Sequence, residues 1–128
     1  MLADADNLVL ALPATPATRG IVGADALGRV KPGVHLVNVA RGSLLDQEAL
    51  RPALDDGRVA LASLDTVEPE PLPEGHWLYT HPRVHLSPHV SWSFPHAFDL
   101  LIEPFVENLR RHAAGQPLLG VVDLAAGY

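Results

Sequence analysis

Residues 34–42 read Val-His-Leu-Val-Asn-Val-Ala-Arg-Gly, and this stretch decides the fold that we predict for the whole chain. It is short, apolar and rich in valine, with a Pro-Gly pair before it and a Gly-Ser pair at its end. Such a run is typical of a strand in a parallel sheet that is buried on both faces. We therefore predict a central parallel strand that presents Asn38, Ala40 and Arg41 at its carboxyl end, where open α/β sheets bind ligands.

Arg41 is the first candidate for chemistry in this stretch. Its planar guanidinium has the geometry to hold a carboxylate through two hydrogen bonds, and the small residues beside it let a ligand approach. On residue type alone, a surface arginine that ends a strand is the simpler interpretation. The choice between the two depends on what the other strands bring to the same edge of the sheet.

Composition limits the classes of function. The 128 residues are enough for one domain or part of one, and the formal net charge of −6 without a basic cluster argues against nucleic acid and anionic membranes as partners. No apolar run is long enough to span a membrane, and Asp4 and Asp6 do not fit an export signal, so we expect a cytoplasmic protein. The absence of cysteine excludes disulfides and thiolate chemistry.

Apolar runs alternate with helix signals along the rest of the chain. Strands are predicted at Asn7–Leu12, within Arg58–Asp65 and at Val84–Ser87; helices are predicted at about Ala24–Arg29, from an N-cap at Asp46 to about Asp55, and from an N-cap at Ser93 to about Ala113. Pro52 and Pro104 should bend the second and third helices. This alternation predicts an α/β fold with a mostly parallel sheet and right-handed crossovers.

Three predicted strand ends carry side chains that can do chemistry. Arg41, Asp65 and His89 follow the second, third and fourth strands, so they should meet at one edge of the sheet. The proline-rich loop Thr66–Pro73 is stiff enough to aim a carboxylate toward them. Its acids alone would be a solvated surface loop, and only their register with Arg41 and His89 favours a site.

A metal site is the weaker interpretation of the histidines. His81, His85 and His89 recur every four residues, which on a helix would suggest a metal-binding face. Pro82 and Pro88 are incompatible with a continuous helix there, so we predict no metal site.

With these residues placed, the chain resembles the C-terminal half of the nucleotide-binding domain of the D-isomer-specific 2-hydroxyacid dehydrogenases. The likeness rests on Asn-Leu-Val-Leu-Ala-Leu-Pro followed by Thr-Pro-Ala-Thr-Arg-Gly, on Lys-Pro-Gly-Val-His-Leu-Val-Asn-Val-Ala-Arg-Gly, on Leu-Asp-Thr-Val-Glu-Pro-Glu-Pro-Leu-Pro and on Ser-Pro-His-Val-Ser-Trp-Ser, in family order. It implies a Rossmann-like parallel sheet, the second half of a doubly wound domain, with a long C-terminal helix. Residues 1–115 would form a partial NAD(P)-binding domain, and residues 116–128 a crossover tail toward a substrate domain.

The resemblance also implies an activity: an NAD(P)-dependent oxidoreductase, homodimeric at full length, that interconverts a small 2-keto acid and a D-2-hydroxy acid. By this likeness Arg41 binds the substrate carboxylate, His89 is the catalytic acid and base, and Glu70 is its carboxylate partner. A protonated His89 would give its proton to the carbonyl oxygen as hydride reaches the carbon. Asp65 would contact the nicotinamide carboxamide, and the implied contacts to NAD or NADP are Pro13, Thr15, Val39, Ala40, Asp65, His89 and Ser91.

The chain departs from the family pattern at two points. Trp92 stands where a small residue is common, which predicts a reshaped pocket. The Gly-x-Gly-x-x-Gly turn that binds the cofactor's pyrophosphate would precede residue 1. We therefore expect a fragment that is inactive in isolation. The alternative is a non-catalytic relic or interaction module that keeps the fold.

Overall fold

The computed structural model describes residues 2–127 of the chain. They form two compact units, one that ends at Val90 and one that begins at Ser91. The first contains a sheet with two helices, and the second contains one long helix. The predicted division after Gly115, between a nucleotide-binding part and a crossover tail, stays a prediction.

A four-stranded sheet forms the first unit. Its strands are β1 (Asn7–Leu10), β2 (Val34–Asn38), β3 (Val59–Leu64) and β4 (Val84–Leu86), and they lie in the order β1-β2-β3-β4. Every neighbouring pair is parallel, so the predicted α/β class with a parallel sheet is confirmed. Because the strands are parallel, all four carboxyl ends lie at one side of the sheet, which we call the carboxyl edge.

Two helices connect and cover these strands. The helices α1 (Ala24–Gly28) and α2 (Gln47–Asp55) pack against each other, and α2 also packs on β3. Asp46 caps α2 as predicted, since its Oδ1 accepts hydrogen bonds from the N–H groups of Glu48 at 3.0 Å and Ala49 at 3.1 Å. Short 3-10 helices at Leu2–Asp4, Gly42–Leu44 and Trp77–Tyr79 complete the unit.

The core lies between the sheet and these helices. On β2, Val34, Leu36 and Asn38 are buried, whereas His35 and Val37 on the opposite face are only half-buried. The predicted burial of this strand is therefore correct for one face only, because a polar pair occupies the other, where His35 Nε2 lies 2.9 Å from Ser63 Oγ. The fully buried apolar side chains include Leu27, Val34, Leu36, Leu44, Leu50, Leu54, Val59, Leu64 and Leu78.

The second unit contains the helix α3 (Ala97–Ala113). The predicted N-cap at Ser93 is wrong, since the residue before the helix is His96, in a left-handed conformation with φ of 69°. Pro95 disfavours the α conformation at the residue before it, so the helix begins only after the proline. Pro104 lies inside α3, as Pro52 lies inside α2, and neither ends its helix.

Candidate active site

The carboxyl edge carries most of the residues that the sequence predicted for a site. Arg41 follows β2, Asp65 directly follows β3, and His89 lies in the turn after β4. Pro13 and Thr15 lie in the loop after β1. The parallel topology therefore gathers four chain segments at one edge, as expected for an α/β binding site.

His89 and Glu70 form the pair at the centre of this edge. Nδ1 of His89 lies 2.9 Å from Oε1 of Glu70, and the two side chains are 37% and 40% exposed. A ring that donates its Nδ1–H to a carboxylate presents its other nitrogen, Nε2, for proton exchange. The carboxylate also attracts the positive charge of a protonated ring. This arrangement suits general acid and base chemistry at Nε2.

Asp65 holds the turn that carries His89. The Asp65 side chain is buried, and its Oδ1 accepts hydrogen bonds from the Ser87 hydroxyl and, at 2.9 Å, from the Val90 N–H. The Asp65 carbonyl accepts the N–H of His89 at 3.0 Å. These bonds stabilise His89 at a φ of 53°, a left-handed conformation that few non-glycine residues adopt. The predicted contact of Asp65 with a nicotinamide carboxamide stays a prediction.

Arg41 lies exposed between β2 and the 3-10 helix that follows. Asn38, which the sequence placed at the ligand edge, is fully buried and shapes this turn: its amide donates to the Arg41 carbonyl at 2.9 Å and accepts from the Ala40 N–H at 3.1 Å. Arg41 Nη1 donates to the Ala40 carbonyl at 2.7 Å. Within residues 2–127 its guanidinium pairs with no carboxylate, so it is available to an anionic ligand.

The other predicted cofactor contacts divide between the two units. In the loop after β1, the Thr18 hydroxyl donates to the Pro13 carbonyl at 2.8 Å and accepts from the Thr15 N–H at 2.8 Å. Val39 exposes 39% of its surface just beyond β2. Ser91 is exposed and belongs to the second unit. All predicted site residues except Ser91 therefore lie in the first unit.

A polar cluster surrounds Glu68, two residues before Glu70, and local sequence patterns do not reveal it. The Arg19 guanidinium donates to both carboxylate oxygens of Glu68, at 2.6 and 2.8 Å. These hydrogen bonds lower the pKa of Glu68 and raise the pKa of Arg19 from their ordinary values. Gln47 contacts the Glu68 backbone, accepting its N–H at 3.1 Å and donating to its carbonyl at 2.5 Å. We call Arg19, Gln47 and Glu68 the Glu68 cluster.

Gly42 lets the loop of Glu70 pass directly beside the Arg41 segment. A Cβ at Gly42 would lie 2.0 Å from the carbonyl carbon of Val67 and 2.6 Å from the nitrogen of Glu68. Both atoms belong to the backbone and cannot move aside as a flexible side chain would. The glycine is therefore required by close backbone approach.

A cavity of about 460 Å³ opens beside Glu70. Its size is within the range of small-molecule sites. The hydroxyl of Tyr79 donates to the Leu72 carbonyl at 3.2 Å across one wall. The residues that line the cavity include Asp65, Glu70, Leu72, Tyr79, Leu86 and Ser87.

The three histidines of the sequence motif have separate surroundings. His81 Nε2 lies 3.3 Å from Asp55 Oδ1, His85 is exposed on β4, and His89 pairs with Glu70. Across residues 2–127, no group of three or more His, Cys, Asp or Glu side chains is arranged to hold a metal ion. The same residues contain no helix with the length and apolar character that crossing a membrane requires.

Comparisons of the sequence and of the structure with known proteins point to the same family. Residues 1–91 match the family model described as D-isomer specific 2-hydroxyacid dehydrogenase, NAD binding domain. A curated relative, glyoxylate/hydroxypyruvate reductase A of Photorhabdus laumondii, is 42% identical over 122 residues, which are 94% of this chain and 38% of the relative. The chain thus spans about two fifths of the length of such relatives.

Solved structures agree in fold over nearly the whole chain. A D-isomer specific 2-hydroxyacid dehydrogenase from Xanthobacter autotrophicus Py2, in complex with NADPH and MES, has a TM-score of 0.90 and 40% identity, covering 99% of this chain and 52% of that one. An NADPH-dependent glyoxylate/hydroxypyruvate reductase from Sinorhizobium meliloti, in complex with NADP and sulfate, has a TM-score of 0.89 and 32% identity, covering 99% and 41%.

Proposed function

This chain belongs to the D-isomer specific 2-hydroxyacid dehydrogenase family, and from that premise we propose that it supplies the catalytic residues of an NAD(P)-dependent oxidoreductase. The proposed reaction interconverts a 2-keto acid and a D-2-hydroxy acid. The observation that carries the proposal is the Glu70–His89 pair, with 2.9 Å between Oε1 and Nδ1, at the sheet edge that also presents Arg41.

Arg41 binds the substrate in this proposal. Its exposed guanidinium forms two parallel hydrogen bonds with the carboxylate of the keto acid, and Asn38 fixes the turn that presents it. The substrate class that we favour is a small keto acid such as glyoxylate or hydroxypyruvate, the compounds for which two of the relatives are named.

His89 moves the proton. In reduction, the imidazolium donates its Nε2 proton to the carbonyl oxygen while the carbonyl carbon accepts a hydride, which gives the 2-hydroxy acid. In oxidation, the neutral Nε2 removes the hydroxyl proton. Glu70 holds the ring through Nδ1 in both directions and stabilises its charged form.

The carboxyl edge fits a nicotinamide cofactor. Val39 offers an exposed apolar surface for a flat ring, and the polar loop of Pro13 and Thr15 and the carboxylate of Asp65 offer hydrogen-bonding groups. When bound, NAD or NADP supplies or accepts the hydride. The sequence contains no Gly-x-Gly-x-x-Gly turn for the pyrophosphate, so we propose that the 128 residues alone bind the cofactor weakly and do not turn over.

A chimeric enzyme tests this proposal. Residues 1–128 replace the matching half of the Xanthobacter protein, with which they share 40% identity. Oxidation of NADPH and NADH is then followed with glyoxylate, hydroxypyruvate and pyruvate. We expect turnover by the chimeric enzyme and none by the isolated chain. His89→Gln should lower kcat by about 10²- to 10⁴-fold, whereas the exposed His85→Gln is the matched control and should leave it unchanged.

The alternative function is a non-catalytic relic or interaction module that keeps the fold. A chimeric enzyme that folds and binds NADPH but shows no turnover would favour that alternative. Turnover by residues 1–128 alone would show that the proposed assignment of the cofactor site is wrong. The homodimer and the cytoplasmic location stay predictions from the sequence.

A further inference from the structure

We propose that Gln47 is a positioning residue for Glu70, a role that acts through Glu68 and rests on the proposed function of the Glu70–His89 pair. Gln47 is the first residue of α2, directly after the N-cap Asp46, and its side chain is half-buried. Its place directly after the N-cap fixes the backbone of Gln47, and its side-chain amide reaches the backbone of Glu68 from there.

The side-chain amide of Gln47 forms hydrogen bonds with both backbone polar groups of Glu68. Its Oε1 accepts the Glu68 N–H at 3.1 Å, and its Nε2 donates to the Glu68 carbonyl at 2.5 Å. This two-point contact resembles the pairing of one backbone residue with another in a sheet. It fixes the position and direction of the loop two residues before Glu70.

Other contacts restrict the movement of the loop that carries Glu68 and Glu70. The Arg19 guanidinium holds the Glu68 side chain through two hydrogen bonds, and the close approach at Gly42 blocks movement toward the Arg41 segment. On the far side of Glu70, the Leu72 carbonyl accepts a hydrogen bond from Tyr79. Glu70 therefore lies between two anchored points.

The histidine is anchored independently of this loop. His89 is held by Asp65 through its own N–H and through the N–H of Val90. The acid and the ring thus come from separately fixed segments that meet at 2.9 Å. Loss of the Gln47 contacts should displace the carboxylate and leave the ring in place.

The tautomer of the His89 ring reports whether the Glu70 carboxylate has been displaced. A neutral histidine whose Nδ1–H donates to a carboxylate holds the proton on Nδ1, whereas a ring without that partner exchanges between two tautomers. Long-range ¹H–¹⁵N NMR spectra distinguish these cases, and hydrogen exchange reports the Glu68 amide directly. Both measurements use the 128-residue chain without cofactor or substrate.

The test compares Gln47→Met with Glu48→Met, which places the same new side chain on the exposed neighbouring residue of α2. For Gln47→Met we expect about tenfold faster exchange of the Glu68 amide, the effect of losing one ordinary hydrogen bond. We also expect mixed tautomers at His89. Glu48→Met should change neither. If Gln47→Met does not fold, Gln47→Glu keeps the acceptor and loses the donor, and the same tautomer change is expected.

A Glu70→Met arm, which removes the acceptor oxygen that a glutamine would keep, separates the two levels of the proposal. If this variant leaves the His89 tautomer as in wild type, the Glu70–His89 pair and the proposed function fail together. If it changes the tautomer while neither Gln47 variant does, the positioning role of Gln47 is overturned and the pair stands.

Discussion

Replacing Gly42 with alanine tests the close packing of the two segments that carry Arg41 and Glu70. The new Cβ would lie 2.0 Å from the carbonyl carbon of Val67, whereas ordinary contact begins at 3.4 Å, so the loop must shift by about 1.4 Å. Forcing one extra carbon into a packed site costs about 1–3 kcal/mol. Because the shift carries Glu68 and then Glu70, it should also break the 2.9 Å contact with His89.

The assay is urea unfolding of the 128-residue chain, followed by circular dichroism. Gly42→Ala should lower the free energy of unfolding by about 1–3 kcal/mol. Gly28→Ala is the matched control, because a Cβ at this last residue of α1 meets nothing within 4 Å. Alanine there should be neutral or stabilise the chain by up to about 1 kcal/mol. In the chimeric enzyme, Gly42→Ala should lower turnover by as much as about 100-fold, since a shift of about 1 Å is enough for such a loss.

The refuting result is a Gly42→Ala chain as stable as wild type. Equal stability, together with an unchanged His89 ring spectrum, would mean that the loop accepts a methyl group without moving. The two segments would then not fix each other's position.

Three further predictions concern the charged groups. In the chimeric enzyme, Arg41→Lys should raise KM for the keto acid and lower kcat, because an ammonium cannot form the two parallel bonds of a guanidinium; unchanged steady-state kinetics would exclude the role. Glu70→Gln should lower kcat for reduction, because a neutral amide replaces the carboxylate that contacts Nδ1 of His89; an unchanged kcat would contradict the pairing. Because Arg19 lowers the pKa of Glu68, the stabilisation from this ion pair should be fully present above the ordinary glutamate value of 4.5 and be lost as pH falls through the lowered value. An NMR titration of Glu68 checks this, and Arg19→Met should return its pKa to the ordinary range.

Local sequence patterns were sufficient for most of the fold. Short apolar runs gave all four strands, and the aspartate before α2 gave its cap, because strand burial and capping depend on residues close in the chain. The α3 start was misplaced because Pro95 overrides the capping preference of Ser93. The carboxyl edge could also be predicted, since parallel topology alone brings Arg41, Asp65 and His89 to one side.

The contacts that orient these residues could not be predicted from the sequence. Arg19 and Glu68 are 49 residues apart, and their pairing depends on how two loops approach in space. The Gln47 amide and the absent side chain of Gly42 act on the same loop by contact, with no periodic pattern to reveal them. Asn38 had the chemistry of a ligand contact but is used inside its own turn.

The order of the strands has a consequence for how the chain folds. Each strand pairs with the strand that precedes it, so partners such as Asn7 and His35, or Ala62 and Val84, are fewer than 30 residues apart. Consecutive pairing keeps the sequence separation of contacts as short as parallel crossovers allow, and the entropy of closing each loop stays small. Each of these strands can therefore add to the strand before it while the chain is being synthesised.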